Sequence, residues 1–229
     1  GTLTLGNAAT AQTFTMNVGV VAGTAPGGSI NNAMTVAYNL VNMTFNGNYY
    51  PLTPAGGYTT GKELPNIAAT APLAGTVTII NTNAAGITLG NDATVFNWTI
   101  NNNATLHLNG NTIRVAGNFA NNSATVNTGL NSSVASSKIH FIGNVQQTVN
   151  LGGNQTFAGV LNAPDVEISN TFYNGTTSCA ATVSAVCAAN NLIINTGAYL
   201  QIGNNNFNVL GNITNNGLLF IPGANTTTN

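Results

Sequence analysis

Residues 98–129, WTINNNATLHLNGNTIRVAGNFANNSATVNTG, occur twice in this chain. Displaced by 94 positions and without a gap, they lie over residues 192–223, LIINTGAYLQIGNNNFNVLGNITNNGLLFIPG, with eleven of thirty-two positions identical. The identities are Ile100/Ile194, Asn101/Asn195, Ala104/Ala198, Leu106/Leu200, Asn111/Asn205, Val115/Val209, Gly117/Gly211, Asn118/Asn212, Asn121/Asn215, Asn122/Asn216 and Gly129/Gly223. Apolar residues at every second position and Asn/Gly turns are kept, whereas Arg114 and His107 face Asn208 and Gln201 in the copy. The duplication therefore preserves a scaffold and not a reactive site.

Outward from this stretch the same rhythm continues. From Gly75 onward, pairs of apolar residues separated by one polar residue recur: Val77/Ile79, Ile87/Leu89, Trp98/Ile100, Leu106/Leu108, Ile113/Val115, Ile139/Phe141, Val149/Leu151, Val166/Ile168, Ile193 or its neighbours, Leu200/Ile202, Phe207/Val209 and Leu218/Phe220. Strict alternation is the signature of a strand with one buried face, and no window carries a helical period. Several strands run into Asn/Gly corners, as in Leu106-His107-Leu108-Asn109-Gly110 and Leu200-Gln201-Ile202-Gly203-Asn204. Asn and Gly adopt the positive φ that such corners require. The expected fold is all-β, a β-solenoid in the form of a right-handed parallel β-helix. A jelly-roll β-sandwich is the rival, since short, evenly spaced strands also suit antiparallel pairing.

Segments 89–119, LGNDATVFNWTINNNATLHLNGNTIRVAGNF, and 153–170, GNQTFAGVLNAPDVEISN, resemble the β-strand repeats of bacterial cell-surface proteins. These include autotransporter passenger domains and rickettsial-type outer-membrane adhesins, and the resemblance spans about residues 75–223. It implies a right-handed parallel β-helix, secretion, and a role in adhesion or surface structure.

Composition narrows the function classes. Of 229 residues, 43% are apolar, enough for a core, but only 3% are charged, against about 25% in an ordinary soluble domain. Forty-one Asn residues take the place of the missing Lys and Glu. A polar surface with almost no charge lacks the repulsion that keeps proteins apart, so self-association is expected. Three basic residues cannot neutralise a run of phosphates, which argues against nucleic acid, and they argue equally against recruitment to an anionic membrane. No apolar run reaches the length of a membrane-spanning helix. Starting at Gly1 without a leader, the chain reads as a processed product or a fragment.

Residues 1–74 form an N-terminal β segment distinct from the repeats of 75–229. Phe14, Met16, Val18 and Val20 alternate with polar residues ahead of the linker GTAPGGS, 23–29. Such a strand can fold back as a sheet edge or complete the sheet of a neighbouring subunit. The aromatic stretch 47–66 carries Tyr49, Tyr50 and Tyr58 and offers a second contact surface. Cys179 and Cys187 bracket CAATVSAVC; a disulfide there would stabilise by about 2.5 kcal/mol and would indicate an oxidising compartment, with two free thiols as the other reading.

Chemistry is sparse. Arg114, His107, His140 and Glu167 each lie between two apolar residues and so face outward as isolated polar decoration. Asp165 and Glu167 share one face of one strand, the one close carboxylate pair, but lack the further charges of a Ca²⁺ or glycosidase site. No residue pattern points to a catalytic triad, zinc or a phosphate loop, so neither enzyme nor cofactor is expected. Asn-x-Ser/Thr triplets start at Asn42, Asn97, Asn103, Asn121, Asn131, Asn154, Asn174, Asn212 and Asn225, in numbers that an Asn/Thr-rich chain produces by chance. The expected function is an extracellular structural protein, a self-assembling subunit of a surface filament or layer whose partners are copies of itself. Its first subunit contact is the strand Phe14–Val20 and its second the tyrosine loop. The other reading is an adhesin module binding host or environmental glycans.

Overall fold

The structure is a computed structural model. It describes residues 2–5, 12–17, 35–38, 41–46, 58–61, 63–65, 73–82, 85–124, 128–152, 156–157, 160–161, 163–173, 181–183, 187–203 and 206–221. Among them are twenty-four strands and no helix. None of the described residues forms a helix long and apolar enough to cross a membrane.

The first third of the chain supplies β1 (Thr2–Leu5), β2 (Gln12–Asn17), β3 (Thr35–Tyr38), β4 (Val41–Asn46), β5 (Tyr58–Thr59), β6 (Leu73–Ile79), β7 (Ile87–Thr88) and β8 (Ala93–Ile100). Next come β9 (Thr105–His107), β10 (Thr112–Val115), β11 (Phe119–Asn121), β12 (Gly129–Asn131), β13 (Lys138–Phe141), β14 (Gln147–Asn150), β15 (Thr156–Phe157) and β16 (Val160–Leu161). The last are β17 (Asp165–Ile168), β18 (Ala181–Val183), β19 (Cys187–Ala189), β20 (Leu192–Ile194), β21 (Tyr199–Ile202), β22 (Phe207–Val209), β23 (Ile213–Asn215) and β24 (Leu218–Phe220).

Strand β8 is the branch point of a 14-stranded sheet. Its first half pairs with β10, its second half with β11, and its other edge with β6. One arm then runs β10-β13-β17-β20-β23 and the other β11-β14-β18-β21-β24, while β2-β4-β6 leads in from the N-terminal side. A separate sheet holds β12-β9-β7-β5, and β19-β22 and β1-β3 form pairs of their own. All of these pairings are parallel; β15 and β16 make an antiparallel hairpin. With that pair counted as one element, each arm takes every third strand, so the chain visits the sheets in rotation. Parallel pairing rules out the antiparallel jelly-roll sandwich.

Register stacks like on like. Ile113, Ile139, Val166 and Leu192 occupy successive levels of one column, Val115, Phe141, Ile168 and Ile194 those of the next, and all eight are buried. The alternating pairs seen in the sequence are the inward residues, with Leu192 and Ile194 flanking the half-buried Ile193. The exception is β24: Leu219 aligns with the buried Leu200, so Leu218 and Phe220, expected inside, face out. Three apolar residues in a row leave alternation without a phase, and pairing with β21 decides it.

Corners explain the abundance of Asn. Asn42 Oδ1 accepts the Thr76 N–H (2.8 Å), Asn97 Oδ1 that of Asn118 (2.7 Å), and Asn118 Oδ1 that of Thr148 (2.7 Å). Each side chain thus satisfies a backbone donor one level on, where the turn interrupts the sheet ladder. Deeper inside, Gln147 donates to the Val115 carbonyl (3.0 Å) and accepts from Asn170 Nδ2 (2.6 Å). The Asn109-Gly110 corner has φ of 53° and 79°, the left-handed region that the sequence requires there.

Strand β2 folds back on its own chain, pairing with β4 from Gln12↔Val41 to Asn17↔Asn46. Val18, Val20, Tyr49 and Tyr50 lie outside the described residues, as does the Met16 side chain. Strand β6 runs across the expected division at residue 74 and pairs with β4 before it and β8 after it. Tyr58 is not a surface contact: its ring is buried beside Phe45, with centroids 5.8 Å apart. Its hydroxyl donates to Glu63 Oε1 (2.7 Å), and burial raises its pKa above the ordinary phenol value.

The expected disulfide is also corrected. Cys187 is a free thiol at the start of β19, wholly buried, its Sγ accepting the Leu151 N–H (3.3 Å) and donating towards the Val149 carbonyl (3.8 Å). An inward strand position makes the sulfur a core side chain, and burial pushes the thiol up to about 11, well out of the reactive range. Cys179 lies outside the described residues. The argument from cysteine for an oxidising compartment falls with the bridge.

Candidate functional site

The residues read as isolated decoration are brought together. Along the outward side of the first arm, Arg114, His140 and Glu167 occupy consecutive strands in register, beside a second row of Thr112, Lys138 and Asp165. With Asp92, this surface holds five of the chain's seven charged residues: Asp92, Arg114, Lys138, Asp165 and Glu167. Neighbouring strands are about 4.8 Å apart, so residues one level apart touch although 26 or 27 positions separate them in sequence.

Geometry shows how far this cluster is satisfied from within. Arg114 Nη2 meets Asp92 Oδ2 at 3.1 Å, and the other oxygen of Asp92 accepts the Thr112 N–H (2.9 Å). Lys138 Nζ meets Glu167 Oε2 at 2.8 Å, while Asn195 Nδ2 donates to Glu167 Oε1 (2.9 Å). Asp165 Oδ1 receives Asn190 Nδ2, the Asn191 N–H and Asn191 Nδ2 at 2.9, 3.2 and 2.8 Å. Burial pushes the Glu167 carboxyl up, but the hydrogen bonds from Lys138 and Asn195 and the charges of His140 and Lys138 outweigh it and hold the group below its ordinary value. Burial lowers His140, helped by Lys138 and Arg114 and opposed by Glu167.

His140 stands beside a serine and a carboxylate that are distant from it along the chain. Its Nε2 lies 2.8 Å from Ser169 Oγ and 3.6 Å from Glu167 Oε1. Both partners meet the same ring nitrogen. A nucleophilic relay needs the carboxylate on Nδ1 and the serine on Nε2, so that one nitrogen is fixed while the other accepts the proton. Here Ser169 Oγ and Glu167 Oε1 share Nε2, and Ser169 Oγ also accepts from Asn195 Nδ2 (2.7 Å). These contacts tie neighbouring strands together without that two-sided geometry. Among the described residues, no group of three or more His, Cys, Asp or Glu side chains has the geometry to hold a metal ion.

No relative is found. The chain matches no protein-family model, and no curated protein or solved structure matches it.

Four of the Asn-x-Ser/Thr positions are occupied by the fold. Asn121 is buried and gives its Nδ2 to the Leu151 carbonyl (2.9 Å), and Asn97 and Asn42 serve the corners. Asn131, also buried, accepts the Ser133 N–H (3.0 Å). Asn103 and Asn212 are exposed; Asn154, Asn174 and Asn225 lie outside the described residues.

A pH dependence follows from the cluster. The folded pKa values of His140 and Glu167 lie below 6.5 and 4.5 respectively, so both groups bind protons more readily in the unfolded chain. Their stabilisation is complete above those unfolded values and is lost as pH falls through the folded ones. Thermal midpoints followed by circular dichroism should therefore hold at neutral to mildly alkaline pH, below the range in which the unfolded Cys187 and Tyr58 would ionise, and decline in two stages on acidification. His140→Gln should shrink the first stage, leaving the share that belongs to His107, whose pKa burial also lowers. A midpoint that rises on acidification would contradict this.

Proposed function

We propose that the chain is a structural subunit that assembles end to end into an extracellular filament or surface layer, built on a right-handed parallel β-helix. The observation that carries this reading is that, among the described residues, apolar side chains in line with the core are exposed on the outermost strands β2 and β23. Phe14 is in register with the buried Met43 yet 37% exposed, and Ile213 is in register with the buried Leu192 yet 55% exposed. Strands β2, β23 and β24 each pair on one side only among the described residues. An unpaired parallel edge beside exposed apolar side chains is a template for another chain. Because the two ends differ, contact between them is head to tail, the kind of interface that propagates into an open fibre when successive rotations do not close a ring.

The near-absence of charge supports the same reading, since neither end repels the other. The N-terminal strand remains the contact on one side, through its outer edge, because β2 is already paired with β4 in its own chain. Electron microscopy and sedimentation velocity test the proposal. The wild-type chain should form unbranched polymers, and Ile213→Lys combined with Leu219→Lys should remain monomeric with an unchanged circular dichroism spectrum. A wild-type chain that stays monomeric at high concentration, or a double variant that polymerises equally well, would overturn it.

A further inference from the structure

The outward side of the four-stranded sheet differs from the charged arm. Thr88, His107 and Asn131 stand in register on β7, β9 and β12, and with Asn109, Ser133, Val134 and Ala85 they line a depression of about 320 Å³. That volume lies at the small end of the range of ligand sites, roughly 300–1,000 Å³. No charged side chain contributes to the lining.

What the lining offers is a close array of neutral hydrogen-bonding groups. Two amides, two hydroxyls and an imidazole converge on one hollow, and Val134 adds an apolar side chain that is 45% exposed. The Asn131 carboxamide is held through Oδ1 by the Ser133 N–H, which fixes its plane and turns its Nδ2 donors away from that contact. Asn109 is set at the rim by its positive φ of 53°. Burial lowers the pKa of His107 against an opposing hydrogen bond with the Ala85 backbone, so its ring is neutral at neutral pH, with one nitrogen engaged by Ala85.

A ligand that matches this surface carries many hydroxyls, no charge, and an apolar C–H face. Neutral donors and acceptors lose little on desolvation compared with ions, so a polyhydroxylated ligand can exchange water for amide and hydroxyl partners. An anionic ligand finds no cation here, and a lipid finds one small apolar group. We propose that the depression over Thr88, His107 and Asn131 binds a neutral saccharide, the end of an uncharged glycan chain. The inference is independent of end-to-end assembly, because the hollow lies on the side of the sheets and is complete within one chain.

Binding is tested on the full chain by ¹⁵N–¹H correlation spectra, titrated with cellotriose, maltotriose, laminaritriose and chitotriose, and with trigalacturonate as the anionic counterpart. At least one neutral trisaccharide should shift the amides of residues 85–88, 107–109 and 131–134 with millimolar affinity. Thr88→Trp on the strand and Ser133→Trp in the exposed turn fill the hollow from opposite sides. Each should weaken binding by about tenfold or more while the thermal midpoint stays unchanged. Two variants guard against one of them failing to fold. The proposal is overturned if no neutral trisaccharide shifts those amides, if binding survives both variants, or if trigalacturonate binds as well as the neutral sugars.

Discussion

Trp98→Ala destabilises the fold by about 3–5 kcal/mol, the range for removing a large buried aromatic side chain. Trp98 is fully buried and is the largest such side chain in the described core. It sits in the half of β8 that pairs with β11 on one edge and β6 on the other, level with Phe119 and Val77. A cavity there loosens three strands at once, at the point where the large sheet divides. The indole Nε1 is buried without a hydrogen-bond partner among the described residues. Trp98→Phe keeps most of the packing and removes that orphaned donor, so it should cost less than about 1.5 kcal/mol. Urea unfolding followed by circular dichroism separates the two variants. Equal losses for Ala and Phe would show that packing at Trp98 is not what holds β8.

Gly143→Val is the second large effect, expected to cost about 3 kcal/mol or more through overpacking. A Cβ at this position would overlap the Ala116 carbonyl and come within 3.0 Å of the Gln147 carboxamide carbon. Both are backbone or backbone-held groups, since Gln147 is fixed by its bond to the Val115 carbonyl, and neither can give way cheaply. The adjacent exposed Asn144 serves as control, and Asn144→Ala should stay within about 0.5 kcal/mol of wild type. If the valine variant melts with the control, the close approach of the two chain segments is not structurally required.

The inward side chains were legible because alternation has a period of two and the fold has one interior. Val166/Ile168 and Ile113/Val115 needed nothing beyond that pattern. The phase of β24 was not legible, because Leu218-Leu219-Phe220 contains no polar residue to mark it. The charged cluster was missed for a different reason. Arg114, His140 and Glu167 each look isolated along the chain and meet only through the register of three strands. A signal was present in their spacing, which equals the separation of Ile113, Ile139 and Val166, but using it requires knowing which strand pairs with which.

The duplication of residues 98–129, displaced by 94 positions, is a further case. Its copies match strand for strand, β9 with β21 and β11 with β23, yet β9 belongs to the four-stranded sheet and β21 to the second arm, while β11 lies in the second arm and β23 in the first. Identity of sequence fixes strand and corner, and the count of intervening strands fixes the sheet. Cys187 shows the same limit: its spacing from Cys179 suggested a bridge, whereas its place on a strand put the sulfur inside.

The strands of the two arms and of the four-stranded sheet are joined side by side by backbone hydrogen bonds, and a pull along that direction loads the successive levels in series. The weakest level then sets the breaking force. Among the described residues no strand links β12 to β19, and the antiparallel β15–β16 pair occupies that part of the chain, so the stacking that continues the four-stranded sheet is interrupted there while both arms run through.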